Sequence, residues 1–419
     1  MAKQAGIKED SLSAELASTT IKEMAPASYD SVPLDCEICQ HIMRAFHTPF
    51  EEAYSVDFGS AADVLSKPCP AHGPFLARLK ERFESNEMKS VTYTLQEAHF
   101  KMEKWARHTE ASITINVNDY NLRFNEPMEL VKDSSADRVG RGVIPNPQWI
   151  DPSLLRKWKA CCQDTHGDEC EHPLSQYRLA ESNPTWLIDV RNRCLIPGKS
   201  EMRYVTLSYK WGQTERPRLE KTSLPELEKP NTLTEMGTRI PETIRNAIDL
   251  VQLLGEEYMW TDSLCIAQDD EVTKFTELNQ MAAIYANSTL TIIAAKGEDA
   301  EHGLLGLEGV SKSRELKARW TPFGEKEKVI QSRFLWSHLL QTLYFKRGWT
   351  FQEHLFSKRR LIFEGQMVRW ECSRSAWSED IVHSDGPESK FRCNWMDAVT
   401  YTYLSLGAFG HMLIEYNHR

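Results

Sequence analysis

The stretch from Tyr204 to Ala295 switches back and forth between strand-like and helix-like hydrophobic periods, and this constrains the fold more than any other feature. Tyr204-Val-Thr-Leu-Ser-Tyr209 reads as a strand. Pro241 to Leu254 reads as a helix, because Ile244, Ala247, Ile248 and Val251 share one face. Pro241 takes its first position, Glu242 lies in its first turn and Gly255 stops it. Tyr258-Met-Trp-Thr-Asp262 is a second strand. Phe275, Leu278, Ala282 and Tyr285 mark a second helix, and Leu290 to Ala295 a third, wholly apolar strand. Strands alternating with helices at this spacing predict βαβ units, hence an α/β fold with a parallel sheet flanked by helices. A helix from about Arg347 to Phe356 then leads into strands at Arg360 to Phe363 and Met367 to Cys372, paired across Glu364-Gly365.

Upstream the texture differs. Residues 1–33 are polar and aperiodic and read as a disordered leader. Residues 34–132 read as a Cys-rich and β-rich module: a short helical pattern (Ile38, Ile42, Met43, Phe46), a second stripe (Phe75, Leu79, Phe83), then strand-like segments. Those segments are Val91 to Leu95, Ala111 to Val117 and Tyr120 to Phe124, with Asn118-Asp119 as a hairpin turn. Residues 133–200 read as a linker and helical connector, with a helix from Pro152 to Cys162. The α/β domain occupies 201–380, and 381–419 forms a helical segment expected to be incomplete.

Composition removes several function classes. Lys plus Arg total 50 against 60 for Asp plus Glu, a net charge of −10 that repels a phosphate backbone and disfavours general nucleic-acid binding. No apolar run approaches the roughly 18 residues that cross a bilayer, and the first residues lack the apolar core of a signal peptide. The expected location is therefore cytoplasmic, where the ten cysteines stay reduced and act as core thiols or metal ligands.

Cys36-x-x-Cys39 and Cys69-x-x-His72 have the paired spacing of a tetrahedral structural zinc site of the Cys₃His kind; the bland alternative is buried thiols beside a surface histidine. Cys161, Cys162, His166, Cys170 and His172 form a second, less standard set, in which Cys162 and His166 share a helix face and Cys170 must fold back. Cys265, in an apolar context, reads as an inert core thiol. Walker-type, Gly-x-Ser-x-Gly and His-Glu-x-x-His motifs are absent, and Gly303, Gly306 and Gly309 read as turns.

The ordered motifs YVTLSYKWG (Tyr204 to Gly212), IPETIRNA (Ile240 to Ala247), YMWTDSLCIAQDD (Tyr258 to Asp270), MAAIY (Met281 to Tyr285), HGLLG (His302 to Gly306) and RGWTFQE (Arg347 to Glu353) come first. Trp370-Glu-Cys372 and Ser378-Glu379 follow. Together they resemble the signatures of the fungal heterokaryon-incompatibility (HET) domain, with minor departures at Lys210 and Ala267. The resemblance implies a role in fungal non-self recognition and programmed cell death. It also implies a TIR-like, flavodoxin-like sheet, since HET domains are considered distantly similar to TIR domains, some of which cleave NAD and others of which only self-associate. The partners implied are further copies of the chain or receptor-type incompatibility proteins.

In an open parallel sheet, ligands bind beyond the carboxyl ends of the strands. The Ser208 to Gly212 turn and Asp262-Ser263 both sit there. Asp262 either caps the next turn or serves the site. Trp349 and Glu353, four apart on a helix, stand side by side. An indole can stack on a flat base while a carboxylate steadies the oxocarbenium-like charge of a ribose losing that base. TIR-type NAD hydrolases use a Trp-x-x-x-Glu motif of this kind, which the resemblance carries onto Trp349 and Glu353. The alternative is that Trp349 is core and Glu353 pairs with Arg347 or with another basic group. The expected catalytic residues are thus Glu353 and Asp262, with Tyr209, Trp211 and Trp349 binding NAD as substrate.

Overall fold

The structure, a computed structural model, describes residues 36–49, 51–84, 98–104, 111–117, 122–131, 142–172, 183–212, 218–316, 320–323, 327–331, 344, 353–354, 356–364 and 367–382. The expected leader, the strand at Val91 to Leu95, the Asn118-Asp119 turn, Arg347, Trp349 and nearly all of the C-terminal segment lie outside these residues. The described residues fall into two compact units. One comprises those up to Asn146 with Ala318–Phe334 and Asp380–Val382; the other comprises those in Pro147–Lys317 and Leu335–Glu379.

In the first unit, helix α1 (Glu37–His47) buries Ile38, Cys39, Ile42, Ala45 and Phe46, one face of a helical wheel. Strand β1 (Tyr54–Ser60), helix α2 (Ala61–Leu65) and helix α3 (Gly73–Glu84) follow. Strands β2 (Ala98–Lys104), β3 (Ala111–Val117) and β4 (Leu122–Leu130) pair antiparallel in sequence order after β1. Along β2, fully buried residues alternate with partly buried ones, so Phe100 and Met102 join the helices' apolar faces in one core.

The second unit opens with helices α4 (Pro152–Thr165) and α5 (Asp168–Glu171). Asp151 caps α4, accepting the Ser153 amide at 2.8 Å, and Pro152 pre-sets its first turn. Next come β5 (Trp186–Asp189), β6 (Cys194–Pro197) and β7 (Tyr204–Ser208), then the single-turn helices α6 (Leu224–Leu227) and α7 (Thr232–Glu235). Helix α8 (Glu242–Leu253), strand β8 (Tyr258–Trp260), helix α9 (Asp262–Cys265), helix α10 (Glu271–Asn287) and strand β9 (Leu290–Ala294) complete the expected alternation. Pro241 lies one residue before α8, with an extended ψ of 145°.

The chain then departs from the expected unbroken domain over 201–380. Strands β10 (Trp320–Phe323) and β11 (Glu327–Gln331) belong to the first unit, because β11 pairs antiparallel with the free edge of β4, Val329 opposite Leu130. The first sheet therefore runs β1-β2-β3-β4-β11-β10. Strands β12 (Arg359–Glu364), β13 (Met367–Cys372) and β14 (Ala376–Ser378) return to the second unit.

The second sheet has the order β14-β13-β12-β9-β7-β8-β5-β6. Its centre is parallel (β12, β9, β7 and β8) and its margins are antiparallel, so the sheet is mixed where sequence predicted a parallel one. At one end β13 folds back on β12 as a hairpin partner; at the other, β5, itself in a hairpin with β6, runs antiparallel to β8. Every residue of β7, β9 and β12 is buried; β7 and β9 are accordingly uninterrupted apolar or hydroxyl-bearing runs, whereas β12 also buries Arg359, Arg360 and Glu364.

Candidate functional site

Three remote stretches of the second unit meet around a cleft of about 340 Å³ whose walls include Trp211, Arg218, Asp262, Gln268, Lys274 and Glu353. Trp211 follows the end of β7, Asp262 opens α9 just after β8, and Glu353 precedes β12. All three attach near the carboxyl ends of the central parallel strands or in the connection feeding them, where a doubly wound sheet leaves a crevice.

Several wall residues are held in place. Trp211 donates its indole Nε1–H to Asp262 Oδ1 at 2.9 Å, and the Arg218 guanidinium lies over its ring, 5.2 Å from the centroid. Gly212, at φ +83°, turns the chain immediately afterwards; a Cβ there would meet Asp299 Cβ at 2.4 Å, so only glycine fits. Gln268 donates to the carbonyls of Asp262 and Ile266 at 3.2 and 3.0 Å and braces the α9 corner.

Glu353 is 2% exposed and is the deepest acid of the cleft wall. Ser208, the last residue of β7, donates its hydroxyl proton to Glu353 Oε2 and also bonds Tyr344 Oη. Because serine has one hydroxyl proton, Tyr344 is the donor in that second bond. The backbone is tied as well. Ser357 donates to the Glu353 carbonyl at 2.5 Å and meets Thr291 Oγ1 of β9 at 2.5 Å, which in turn lies 2.7 Å from Thr206 Oγ1 of β7. Arg360 of β12 donates to the carbonyls of His354 (3.1 Å) and Ser357 (2.8 Å). A buried chain of hydroxyls and one guanidinium thus sets where this carboxylate stands relative to the sheet.

The expected site residues divide accordingly. Glu353, Asp262 and Trp211 line one cleft. Tyr209 does not: it is 4% exposed, belongs to the core and donates its hydroxyl to Ser263 at 2.9 Å. Trp349 lies outside the described residues. Ser208, Tyr344, Arg218 and Lys274 went unassigned in the sequence, although Ser208 stood in the first signature. Cys265 is fully buried, and burial, its first cause, pushes its thiol up, as an inert core group requires.

In the first unit, Cys36 and Cys39 sit at the start of α1, while Cys69 and His72 form the turn entering α3. Their ligand atoms all lie within 4.8 Å of one another. Cys39 Sγ is 3.6 Å from Cys69 Sγ, and His72 Nδ1 is 3.4 Å from both Cys36 and Cys39 Sγ. Zinc–sulfur bonds of about 2.3 Å and zinc–nitrogen bonds of about 2.0 Å give tetrahedron edges of roughly 3.8 Å and 3.5 Å. The four residues match those edges and can hold a metal ion such as zinc. Burial pushes the His72 imidazole down to about 4, so it is neutral, as a ligand must be.

Among the described residues no helix is long and apolar enough to cross a membrane. Neither the curated proteins nor the solved structures compared with the chain include a match. One family model does match: Heterokaryon incompatibility protein (HET), over residues 204–353. That span runs from the first residue of β7 to the buried carboxylate, and so frames every wall of the cleft. The cleft-bearing part of the second unit is thus the part of the chain that matches the heterokaryon incompatibility (HET) family model.

Proposed function

We propose that the HET domain is a TIR-like hydrolase that cleaves the N-glycosidic bond of NAD and thereby acts as a programmed-cell-death effector in fungal incompatibility. The observation that carries this reading is Glu353, a buried carboxylate on the wall of a cleft it shares with an aromatic residue, Trp211, and a second acid, Asp262. The spatial order of the parallel strands also supports it. Taken in chain order β7, β8, β9 and β12, they lie second-first-third-fourth across the sheet, the order of flavodoxin-like folds.

In the reaction, the glycosidic electron pair leaves with the pyridinium nitrogen, which becomes neutral nicotinamide. Positive charge develops at the ribose C1′, and the Glu353 carboxylate stabilises it in a water-poor site. Water then closes on C1′ and releases a proton, giving ADP-ribose. The Ser208 hydrogen bond keeps one carboxylate oxygen occupied and aims the other. Asp262, braced by the Trp211 indole, orients a ribose hydroxyl, and Arg218 and Lys274 complement the diphosphate. A structural zinc at Cys36, Cys39, Cys69 and His72 organises the first unit.

The test is NAD consumption by the purified full chain. Glu353→Gln retains an acceptor for Ser208 and should lower turnover by about 10²-fold or more with an unchanged melting temperature; equal turnover in the two proteins sinks the reading. A second reading, self-association in place of catalysis, is favoured by Val272 and Phe275, which are 77% and 69% exposed three residues apart on α10. It expects Phe275→Asp to abolish both oligomers and cell killing while Glu353→Gln spares the killing.

A further inference from the structure

The second unit gathers a metal-ligating set that the chain order conceals. Cys162, in the last turns of α4, His166 at its end and Cys170 in α5 converge with Cys372, the last residue of β13, and their four ligand atoms lie within 4.8 Å of one another. His166 Nδ1 is 3.6 Å from Cys170 Sγ and 3.4 Å from Cys372 Sγ. These edges suit a tetrahedral Cys₃His site as well as those of the first unit do. Cys161 and His172 are not members; the Cys161 thiol faces Thr165 instead.

The surroundings are those of thiolates. Arg359, 1% exposed, aims Nε at Cys162 Sγ at 3.3 Å. The backbone amide of Arg374, two residues beyond Cys372, donates to both the Cys372 and the Cys170 sulfurs. Amides and a guanidinium directed at sulfur are the outer partners that bound thiolates take. Charge also balances: Arg359 and Lys358 share the one carboxylate of Glu171, at 2.8 and 2.7 Å, which leaves one positive charge beside the single net negative charge of a divalent ion with three thiolates and a neutral imidazole.

We propose that Cys162, His166, Cys170 and Cys372 bind a second zinc ion, a closed structural site that fastens helices α4 and α5 to the end of β13. All four positions around the ion are filled by protein, so the site has no open place for substrate and supplies no catalysis. It makes the residues upstream of the matched HET span, and Cys372 beyond it, parts of one folding unit. The inference stands apart from the NAD reading, because no ligand is a wall of the cleft.

The experiment is metal analysis of the purified full chain by mass spectrometry, repeated after loading with Co²⁺ for its thiolate absorption. We expect two zinc ions per chain, one for each Cys/His cluster. Cys372→Ser should lower the content to one, Cys39→Ser should also lower it to one, and Cys161→Ser should leave two. A wild-type chain that holds a single zinc, lost in Cys39→Ser, overturns the proposal. So does a disulfide within the cluster, or a Cys372→Ser protein that still carries two ions. Should Cys372→Ser fail to fold, the stoichiometry and Co²⁺ loading of the wild-type chain decide alone.

Discussion

Glu353 and Gly212 show how single positions carry the site. The carboxylate is held by a serine from another strand, and the glycine lets the Trp211 turn pass beside Asp299. An alanine at 212 would need both a left-handed backbone and displacement of Asp299, so Gly212→Ala should cost about 2 kcal/mol or more in a urea or thermal melt. It should also weaken the Trp211–Asp262 contact. His354, next to Glu353, is wholly buried, and burial first, then Arg360, holds its imidazole well below the usual range. Arg360 and Glu371, the latter 3.9 Å away, are the charged groups facing it. Above about pH 6.5 both folded and unfolded chains keep this histidine neutral, so it adds no pH dependence. Below that, the unfolded chain gains a proton that the native site refuses, and stability falls by up to about 1.4 kcal/mol per pH unit. His72 and His302 are shifted in the same direction, so His354→Gln should remove one proton's share of the slope between pH 6.5 and 5 in stability curves, not all of it.

Among the elements, those with a clean period were legible in advance. The α8 face, with Ile244, Ala247, Ile248 and Val251 all buried, is the sequence template realised, and β9 is the apolar strand expected. Cys36, Cys39, Cys69 and His72 were legible for a similar reason: paired ligands three apart in sequence bring two atoms to one ion by local geometry alone. Cys372 was not, because its partners lie about two hundred residues earlier and only the β12–β13 hairpin delivers it to them. Tyr209 misled for the opposite reason: its place in the signature beside Ser208 and Trp211 gives no sign that its ring packs into the core and its hydroxyl reaches Ser263. The β12–β13 hairpin was legible from the Glu364-Gly365 turn, whereas the antiparallel pairing of β5 with β8 was not, since it joins strands about seventy residues apart that no local pattern relates.

At the scale of the molecule, each unit combines, among its described residues, an apolar core with one Cys/His cluster. The first unit's core is the smaller, drawn from three helices and four strands, and its cluster ties α1 to the turn before α3. A chelator strong enough to strip zinc should therefore lower the melting temperature of the full chain. Cys39→Ser should do the same, at a cost of about 3 kcal/mol or more, because a bound metal's affinity is folding energy. Unchanged melting in both would leave the cluster as packed thiols.

The pairing of β11 with β4 has a consequence for synthesis. Strand β4 leaves the ribosome with one edge bare, and the strand that covers it emerges nearly two hundred residues later. At translation speeds of about 5–20 residues per second, that is on the order of 10–40 s during which a nascent sheet offers an open rim to neighbouring chains. Chains broken off before Glu327 keep that rim for good.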